Sequence, residues 1–163
     1  MPHKKVTFQV VHASCEDELH PSAELNSDKH GPLVQGWISQ KFCLYPIDLI
    51  IQFDRKIILK KVQLLSHQYL IASKIEFYIG DCALDEEVTY QNAKYTRLGY
   101  VELASNERTE FKARELKSVH VDAEGTFLKF VVHKNFVNKL NTYNQVGLIA
   151  LNVIGTDLID DVK

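Results

Sequence analysis

The chain has 163 residues, of which 45% are hydrophobic and 25% charged, and its formal net charge is −2. This length suits one domain with its own core, and the near-neutral charge offers no broad basic surface, so neither nucleic acid nor membrane is an expected partner. The three cysteines are too few and too scattered for a disulfide-stapled fold, which favours a reducing, cytoplasmic compartment. The N-terminus turns polar too quickly for a secretory signal, and no apolar run approaches the roughly 18 residues of a membrane span.

Alternating apolar residues predict strands in the first part of the chain. Residues 6–13 alternate along a first strand, and residues 47–54 are apolar enough for a strand covered on both faces. Residues 14–35 hold Pro21, Gly31 and Pro32 among Asp, Asn and Ser, so we expect a long loop in which residues 21–25 suit one helical turn. Trp37, the only tryptophan, follows this loop, and residues 54–56 are an expected charged turn.

The second part of the chain predicts further short strands. Within residues 57–80, period-two alternation predicts two strands joined by a polar corner at Ser66, His67, Gln68 and Tyr69. We expect an acidic loop at 81–96, a strand at 97–103, a hairpin with strands at 116–121 and 127–133, a second long loop at 134–145, and a last strand at 146–154 that Gly155 ends. About eight short strands without helical periodicity predict an all-β, antiparallel sandwich or barrel. The expected domain covers residues 1–155, and residues 156–163 begin a linker.

Residues that could bind metal or catalyse a reaction are present, but they form no strong motif. His12, Cys15, His20 and His30 are the most zinc-like set, although only the first two have the spacing of a structural site. The acidic residues between positions 16 and 28 could bind calcium, or could simply form a solvated loop. Cys43 is typical of a small core residue, and the acidic loop around Cys82 disfavours a reactive thiolate. We therefore expect no enzyme and no cofactor, since no nucleophile-elbow, phosphate-loop or zinc-protease motif occurs.

Polar and aromatic residues give the best candidates for a binding surface. The loop asparagines Asn135, Asn138, Asn141 and Asn144 turn the chain and also offer hydrogen-bond donors and acceptors to a ligand. If the loops meet at one end of the sandwich, a binding surface would comprise Trp37, His67, Gln68, Tyr69, Asn138 and Asn144. Turn formation alone also explains the asparagines and the corner, and it is the simpler explanation for both.

Two long stretches carry a family resemblance. These are LKKVQLLSHQYLIASKIEFYIG at residues 59–80 and the segment from RLGYVEL to NVIG at residues 97–155, together with residues 1–4 and 36–39. The agreement is densest in QLLSHQY, SKIEFYI, KARELKSV and YNQV, whereas residues 14–35 and 81–96 match poorly. On these residues the chain resembles the N-terminal domain of the family of centrosomal proteins of 104 kDa.

That resemblance implies a jelly-roll β-sandwich of the galactose-binding-like kind, the group that includes discoidin-type lectin domains and the Doc subunit of the anaphase-promoting complex. It implies a cytoplasmic, microtubule-associated protein of the cytoskeleton, located at centrioles, the centrosome and ciliary tips and involved in cilium assembly. Tubulin is not an expected partner of this domain, because the tubulin-binding TOG domain of the family lies outside these residues. We expect a non-catalytic module that binds a protein partner. The alternative is a lectin-like module in which an exposed aromatic side chain, such as Trp37, stacks on a glycan.

Overall fold

The computed structural model describes residues 3–29, 31 and 33–158 of the chain. Within this part of the chain, short and long strands alternate with irregular loops. The strands are β1 (Lys4–Lys5), β2 (Phe8–Ala13), β3 (Trp37–Ile38), β4 (Ile47–Ser66), β5 (Lys74–Asp81), β6 (Lys94–Glu102), β7 (Leu116–Val132) and β8 (Gly147–Asp157). The 3₁₀ turn at Ser22–Leu25 confirms the helical turn expected in the first long loop, and a second turn spans Glu107–Thr109.

The two longest strands, β4 and β7, belong to both layers of a sandwich. The first part of β4 pairs with β2 and with the end of β7, as in the pair Leu49 and Phe130. Its second part pairs with β8 and with the start of β7, as in the pair Val62 and Val119. The described pairings are antiparallel, and they give one layer ordered β2-β4-β7-β5-β6 and another ordered β7-β4-β8, with β1 and β3 beside β8.

Two predicted turns are wrong, because the chain continues in a strand through both. Residues 54–56 lie inside β4, where Arg55 Nε is 2.6 Å from Asp157 Oδ1 and Lys56 Nζ is 2.6 Å from Asp81 Oδ2. The turn of the predicted hairpin, residues 122–125, lies inside β7. Gly125 allows close packing against β5, since a Cβ atom at this position would lie 2.6 Å from Ile79 Cγ1. Charged residues and glycine are common in turns. Here they lie where β4 and β7 pass from one layer to the other.

The ends of the described chain lie side by side. Lys4 of β1 pairs with Gly155 of β8, and Lys4 Nζ lies 2.6 Å from Asp157 Oδ2. Gly155 therefore does not end the last strand, as the sequence predicted; it permits close packing, since a Cβ atom there would lie 2.6 Å from Ile58 O. The domain boundary at residue 155 stays a prediction, although β8 crosses it. The last residues of the predicted linker, 159–163, lie outside the described residues.

One hydrophobic core fills the space between the layers. Its largest fully buried side chains include Trp37, Phe53, Phe77, Phe127 and Phe130. The alternating residues of β4 and β5 contribute to it as predicted, with Val62, Leu64, Ile75, Phe77 and Ile79 facing inward. Complete burial of each such side chain contributes about 1.5–3 kcal/mol to folding. Among the described residues, no helix is long and apolar enough to cross a membrane.

Candidate functional site

Three loops meet at one end of the sandwich, as the binding-surface hypothesis requires. They comprise residues 39–46, 66–73 and 134–146, and we call them the loop end. Backbone hydrogen bonds join them: Phe42 N donates to Tyr143 O at 2.8 Å, Phe136 N to Ile71 O at 2.9 Å, and Ser39 N to Val146 O at 2.9 Å. The loop end is therefore one connected surface.

The buried side chain of His67 stabilises the polar corner by accepting backbone hydrogen bonds. Its side chain is buried, and Nδ1 accepts hydrogen bonds from the backbone N–H groups of Tyr69 and Leu70 at 3.2 and 3.1 Å. Burial lowers the pKa of His67 from its ordinary 6.5 to about 4, and the positive charges of Arg114 and His20 act in the same direction. At neutral pH the imidazole is uncharged, and its Nδ1 is the hydrogen-bond acceptor that shapes the corner.

The corner and the asparagine loop contact each other directly. Asn138 Nδ2 donates to Tyr69 O at 3.0 Å, and the rings of Tyr69 and His67 meet edge to face with centroids 4.5 Å apart. The side chain of Gln68 contacts a different segment, since its Oε1 accepts a hydrogen bond from Arg114 Nε at 3.1 Å. The structure thus brings together His67, Gln68, Tyr69 and Asn138, although their binding role stays a prediction.

The asparagines also organise the loop from within. Asn141 is buried and forms two hydrogen bonds of 2.8 Å with the backbone of Gln145, one from Nδ2 to the carbonyl and one from the N–H to Oδ1. Asn144 has a positive φ of 48°, and its Oδ1 accepts from Asn135 Nδ2 at 3.2 Å. Asn135 Oδ1 in turn accepts from Tyr45 OH at 3.0 Å. These bonds explain the asparagines as turn and network residues, which is the structural alternative left open by the sequence.

Trp37 does not belong to the binding surface, and the prediction that placed it there is wrong. Its exposed fraction is 0%, and its indole Nε1 donates to Cys15 O at 2.9 Å. Because the only polar atom of the ring has an internal partner, the whole side chain can be buried in the core. The glycan-binding alternative therefore loses the aromatic ring on which it was based.

The loop end also exposes a set of apolar side chains that the sequence did not predict as part of a site. It consists of Phe42, Leu44, Val137, Leu140 and Tyr143, and we call it the apolar tip. Phe42 is 63% exposed and Leu44 90% exposed, while the Phe42 and Tyr143 rings pack edge to face with centroids 6.0 Å apart. Lys41 Nζ lies 4.1 Å from the Tyr143 ring centroid. A signal was present in the sequence, since Phe42, Leu44 and Tyr143 are apolar residues in segments that carry no strand pattern.

The charges of the loop end have one sign. Its three loops contain Lys41, Lys134 and Lys139 and no Asp or Glu. Acidic residues lie beside these loops on several elements: Asp48 follows the 39–46 loop, Ser66 N donates to Glu115 O at 2.8 Å, and His133 Nε2 lies 2.6 Å from Glu76 Oε1. The loops that carry the apolar tip therefore contribute lysines but no carboxylates of their own.

The zinc-like set is not brought together in the part of the chain that the structure describes. His12 stacks on Tyr90 with ring centroids 5.1 Å apart, and His20 Nε2 lies 2.8 Å from Gln35 Oε1. His30 lies outside the described residues. Among residues 3–29, 31 and 33–158, no group of three or more His, Cys, Asp or Glu side chains is arranged to hold a metal ion.

Sequence comparison identifies the family. Residues 36–155 match the family model described as centrosomal protein CEP104, N-terminal domain. This chain belongs to the CEP104 N-terminal domain family. It is 48% identical to the centrosomal protein of 104 kDa of Mus musculus over 163 residues, and 49% identical to that of Homo sapiens over 155 residues. These matches cover 99% and 95% of this chain but only 17% and 16% of the two relatives.

Structural comparison extends the likeness to much more distant proteins. The family 32 CBM from C. perfringens NanJ, solved in complex with galactose, matches with a TM-score of 0.68 and 10% identity over 94% of this chain and 99% of that chain. The N-terminal domain of the single-strand break repair protein XRCC1 matches with a TM-score of 0.67 and 14% identity, again over 94% of this chain and 99% of the other. At such low identities the likeness concerns the fold, and it confirms the antiparallel, galactose-binding-like sandwich predicted for this chain.

Proposed function

We propose that this chain is a non-catalytic, protein-binding domain of a centrosomal protein, and that it binds its partner through the loop end. The observation that carries this proposal is the apolar tip. Large exposed apolar side chains on a connected surface are typical of protein interaction sites, where aromatic residues act as anchors. Phe42 is displayed in this way despite a positive φ of 53°, a backbone conformation that is uncommon outside glycine.

The rigidity of the loop end supports the same proposal. Buried hydrogen bonds hold each loop, including the 2.8 Å bond from Gln145 Nε2 to Ser39 O. A surface that is already ordered loses less conformational entropy when a partner binds. The loop end therefore presents the apolar tip in a fixed arrangement instead of forming it during binding.

The polar groups of the loop end favour binding over catalysis. Nδ1 of His67 is occupied by two backbone N–H groups, and its lowered pKa, about 4, keeps the ring neutral near pH 7. Asn141 and Asn135 use their amide groups for internal hydrogen bonds. What faces outward is mostly apolar and cationic, which suits recognition of another protein.

Family membership suggests where this partner is found. The mouse and human relatives are named centrosomal proteins of 104 kDa. We place the chain at the centrosome and, more specifically, at centrioles and ciliary tips, within a microtubule-associated protein that acts in cilium assembly. Tubulin is not proposed as the partner of this domain, because the family resemblance assigns tubulin binding to a TOG domain outside these residues.

Affinity capture from ciliated cells tests the proposal with a matched pair of variants. Leu44→Asp places a charge in the apolar tip, whereas Leu84→Asp makes the same change at an equally exposed leucine in the loop between β5 and β6. We expect the wild type and Leu84→Asp to capture the same centrosomal proteins and Leu44→Asp to lose them. Identical captured proteins for all three chains would exclude the apolar tip as the binding surface.

Two further results separate the alternatives. If the wild type captures no protein above the level of an unrelated β-sandwich, the protein-binding function itself is contradicted. If the wild type binds a glycan array and Tyr143→Ala does not, the loop end binds carbohydrate, and the glycan-binding alternative replaces protein binding.

A further inference from the structure

We propose that an extended peptide segment of another protein, with an apolar residue between two acidic ones, binds as an added strand in a gap along the outer edge of β8. This is a second site, and it does not depend on the function of the loop end. β8 pairs along one edge with β4. On its other edge, β3 pairs with β8 as far as Leu148, and β1 pairs with it from Ile154 onward. In the part of the chain that the structure describes, no strand pairs with residues 149–152 on this edge.

The backbone of Leu151 faces this gap. Val6 N donates to Val153 O at 2.9 Å, so the backbone groups of Val153 face the outer edge of β8. The pairing of β8 with β4 is regular from Ala150 to Ile154, and alternate residues of a strand direct their N–H and C=O groups to the same side. The N–H and C=O of Leu151 therefore also face outward, and no hydrogen bond joins either group to another described residue on that side. A free donor and acceptor of this kind are the groups through which a sheet edge pairs with an added strand.

A cavity of about 700 Å³ lies against the gap, within the usual size range of ligand sites. Part of its lining is apolar and belongs to the core, since Val6, Phe8 and Leu25 are each no more than 3% exposed. A peptide residue that pairs with Leu151 places its side chain on the same face of the sheet as Leu151, whose own side chain packs in the core. This central position therefore suits an apolar side chain.

The charged residues that line the cavity are mainly cationic. They are Lys5, Lys29, Arg114 and a single carboxylate, Glu24. Lys5 and Lys29 form no ion pair with another described residue. The cations therefore remain available to a partner, and their excess complements an acidic peptide while disfavouring a basic one.

Two of these cations are placed to meet side chains on either side of the central peptide residue. Those side chains point to the opposite face of the sheet, as the side chains of Ala150 and Asn152 do. Lys5 pairs with Ile154, which shares this alternation, so the Lys5 side chain lies on the same face. Arg114 lines the cavity together with Ala150. An acidic residue on each side of the apolar one is therefore complementary to this lining.

The length of the gap limits the size of the added strand. Residues 149–152 span roughly 13 Å at about 3.3 Å per residue, and β3 and β1 occupy the edge beyond them. In an antiparallel arrangement, the peptide residue opposite Leu151 exchanges two main-chain hydrogen bonds with it. The partner therefore contributes about three or four residues to the sheet and leaves it at both ends.

Selection of a phage-displayed library of random peptides on the folded chain tests the proposal. We expect the enriched sequences to carry Asp or Glu on both sides of a Val, Ile, Leu or Phe. An enriched peptide, synthesised with blocked ends, is then titrated into the chain and its affinity is measured. Absence of enrichment above an unrelated β-sandwich, or enriched sequences that lack this pattern, would overturn the proposal.

A matched pair of charge reversals locates the site. Lys5→Glu reverses a cation of the cavity, and Lys94→Glu makes the same change at an exposed lysine of β6. We expect Lys5→Glu to weaken binding of the peptide by at least about tenfold, because it places like charges side by side, and Lys94→Glu to change it by less than about twofold. Equal weakening by both variants would mean that the peptide responds only to overall charge, which contradicts the proposal.

Hydrogen exchange of backbone amides reports on strand addition itself. Saturation with the peptide should slow exchange at Leu151 more than at Asn152, whose N–H faces β4. Leu44→Asp, which alters the apolar tip, should bind the peptide as the wild type does. Unchanged exchange at Leu151, or loss of binding in Leu44→Asp but not in Lys5→Glu, would exclude this edge; the second result would place the peptide at the loop end instead.

Discussion

His67 illustrates how single polar residues of the loop end serve the fold. The sequence offered His67 as a candidate for ligand contact, with a structural turn as the alternative; the residue is 8% exposed, and its Nδ1 accepts two backbone hydrogen bonds. A buried backbone N–H without a partner would cost about 1–3 kcal/mol, so this acceptor stabilises the corner. Burial lowers the pKa of His67, so the ring is neutral at pH 7 and its Nδ1 can accept these bonds.

The stability of the chain should therefore fall as pH decreases from about 6.5 toward 4. In this window the unfolded state takes up a proton at His67, while the folded state, with a pKa of about 4 for this group, does not. At about 1.4 kcal/mol per pKa unit, the loss at the low end of the window amounts to about 3 kcal/mol, and it levels off below the folded pKa. Urea unfolding across this pH range measures it.

His67→Asn provides the control for this pH dependence. The Asn side-chain oxygen can accept from the same backbone N–H groups but does not titrate, so the variant should lose less stability over the same window. Equal losses in the two chains would contradict the assignment to His67. Glu76 acts in a lower window, since hydrogen bonds from Arg97 and His133 hold its pKa at about 2, and its contribution is lost only below its ordinary value of 4.5.

At the scale of elements, the long strands β4 and β7 distinguish this fold from a set of short hairpins. Residues 54–56 and 122–125 were predicted as turns, yet both segments lie inside strands that run from one layer to the other. Each of these connecting segments has a fixed length, because the residues before it and after it are paired with neighbouring strands. Its tolerance to inserted residues should therefore differ sharply from that of a surface turn.

Insertion of two glycines after Arg55 should strongly destabilise the chain. It would shift the second part of β4, from Ile57 onward, out of register with either β7 or β8. The same insertion after the exposed Leu84, in the loop between β5 and β6, lengthens a loop and should cost less than about 1 kcal/mol. The midpoints of chemical unfolding compare the two chains. Similar midpoints would support a turn at residues 54–56 and contradict the continuous strand.

Gly36→Ala should destabilise the chain by more than about 2 kcal/mol, because it combines backbone strain with overpacking. Gly36 has a φ of +76°, and a Cβ atom there would lie 2.1 Å from Leu148 O. Gly99→Ala is the matched control, since Gly99 also has a positive φ, +149°, but a Cβ atom would have no neighbour within 4 Å. Thermal unfolding should rank Gly36→Ala well below Gly99→Ala; an equal effect would mean that strain alone matters at position 36.

The sequence predicted those parts of the fold that depend on local periodicity. Alternation in residues 62–64 and 75–79 identified inward-facing side chains, because strand burial has a period of two. The sequence did not predict the strand through residues 54–56. Asp54 and Arg55 are polar, as turn residues often are, but they lie within the continuous strand β4. The site was predicted in part. The corner and Asn138 do meet, whereas the burial of Trp37 and the exposure of Phe42 depend on which distant segments cover them.

At the scale of the whole molecule, the two layers should unfold together. Since β4 and β7 pair in both layers, loss of pairing in one layer removes partners from the other. Trp37, the only tryptophan, is fully buried next to β8 and reports on one layer, while far-ultraviolet circular dichroism reports on all strands. The two signals should give the same unfolding midpoint, as expected for a two-state domain. Separate midpoints would show that one layer persists without the other.

The side-by-side chain ends determine how this domain is oriented in a longer protein. Lys4 pairs with Gly155, and Ile57, at the start of the second part of β4, lies opposite Asp157, whereas Ser66 at the end of β4 begins the corner of the loop end. Nine steps along a strand separate Ile57 from Ser66, roughly 30 Å at about 3.3 Å per residue. The polypeptide thus enters and leaves at the face opposite the apolar tip. In a longer protein, neighbouring domains would therefore attach at the end of the sandwich opposite the apolar tip. The tip would stay sterically accessible even if those domains were bulky.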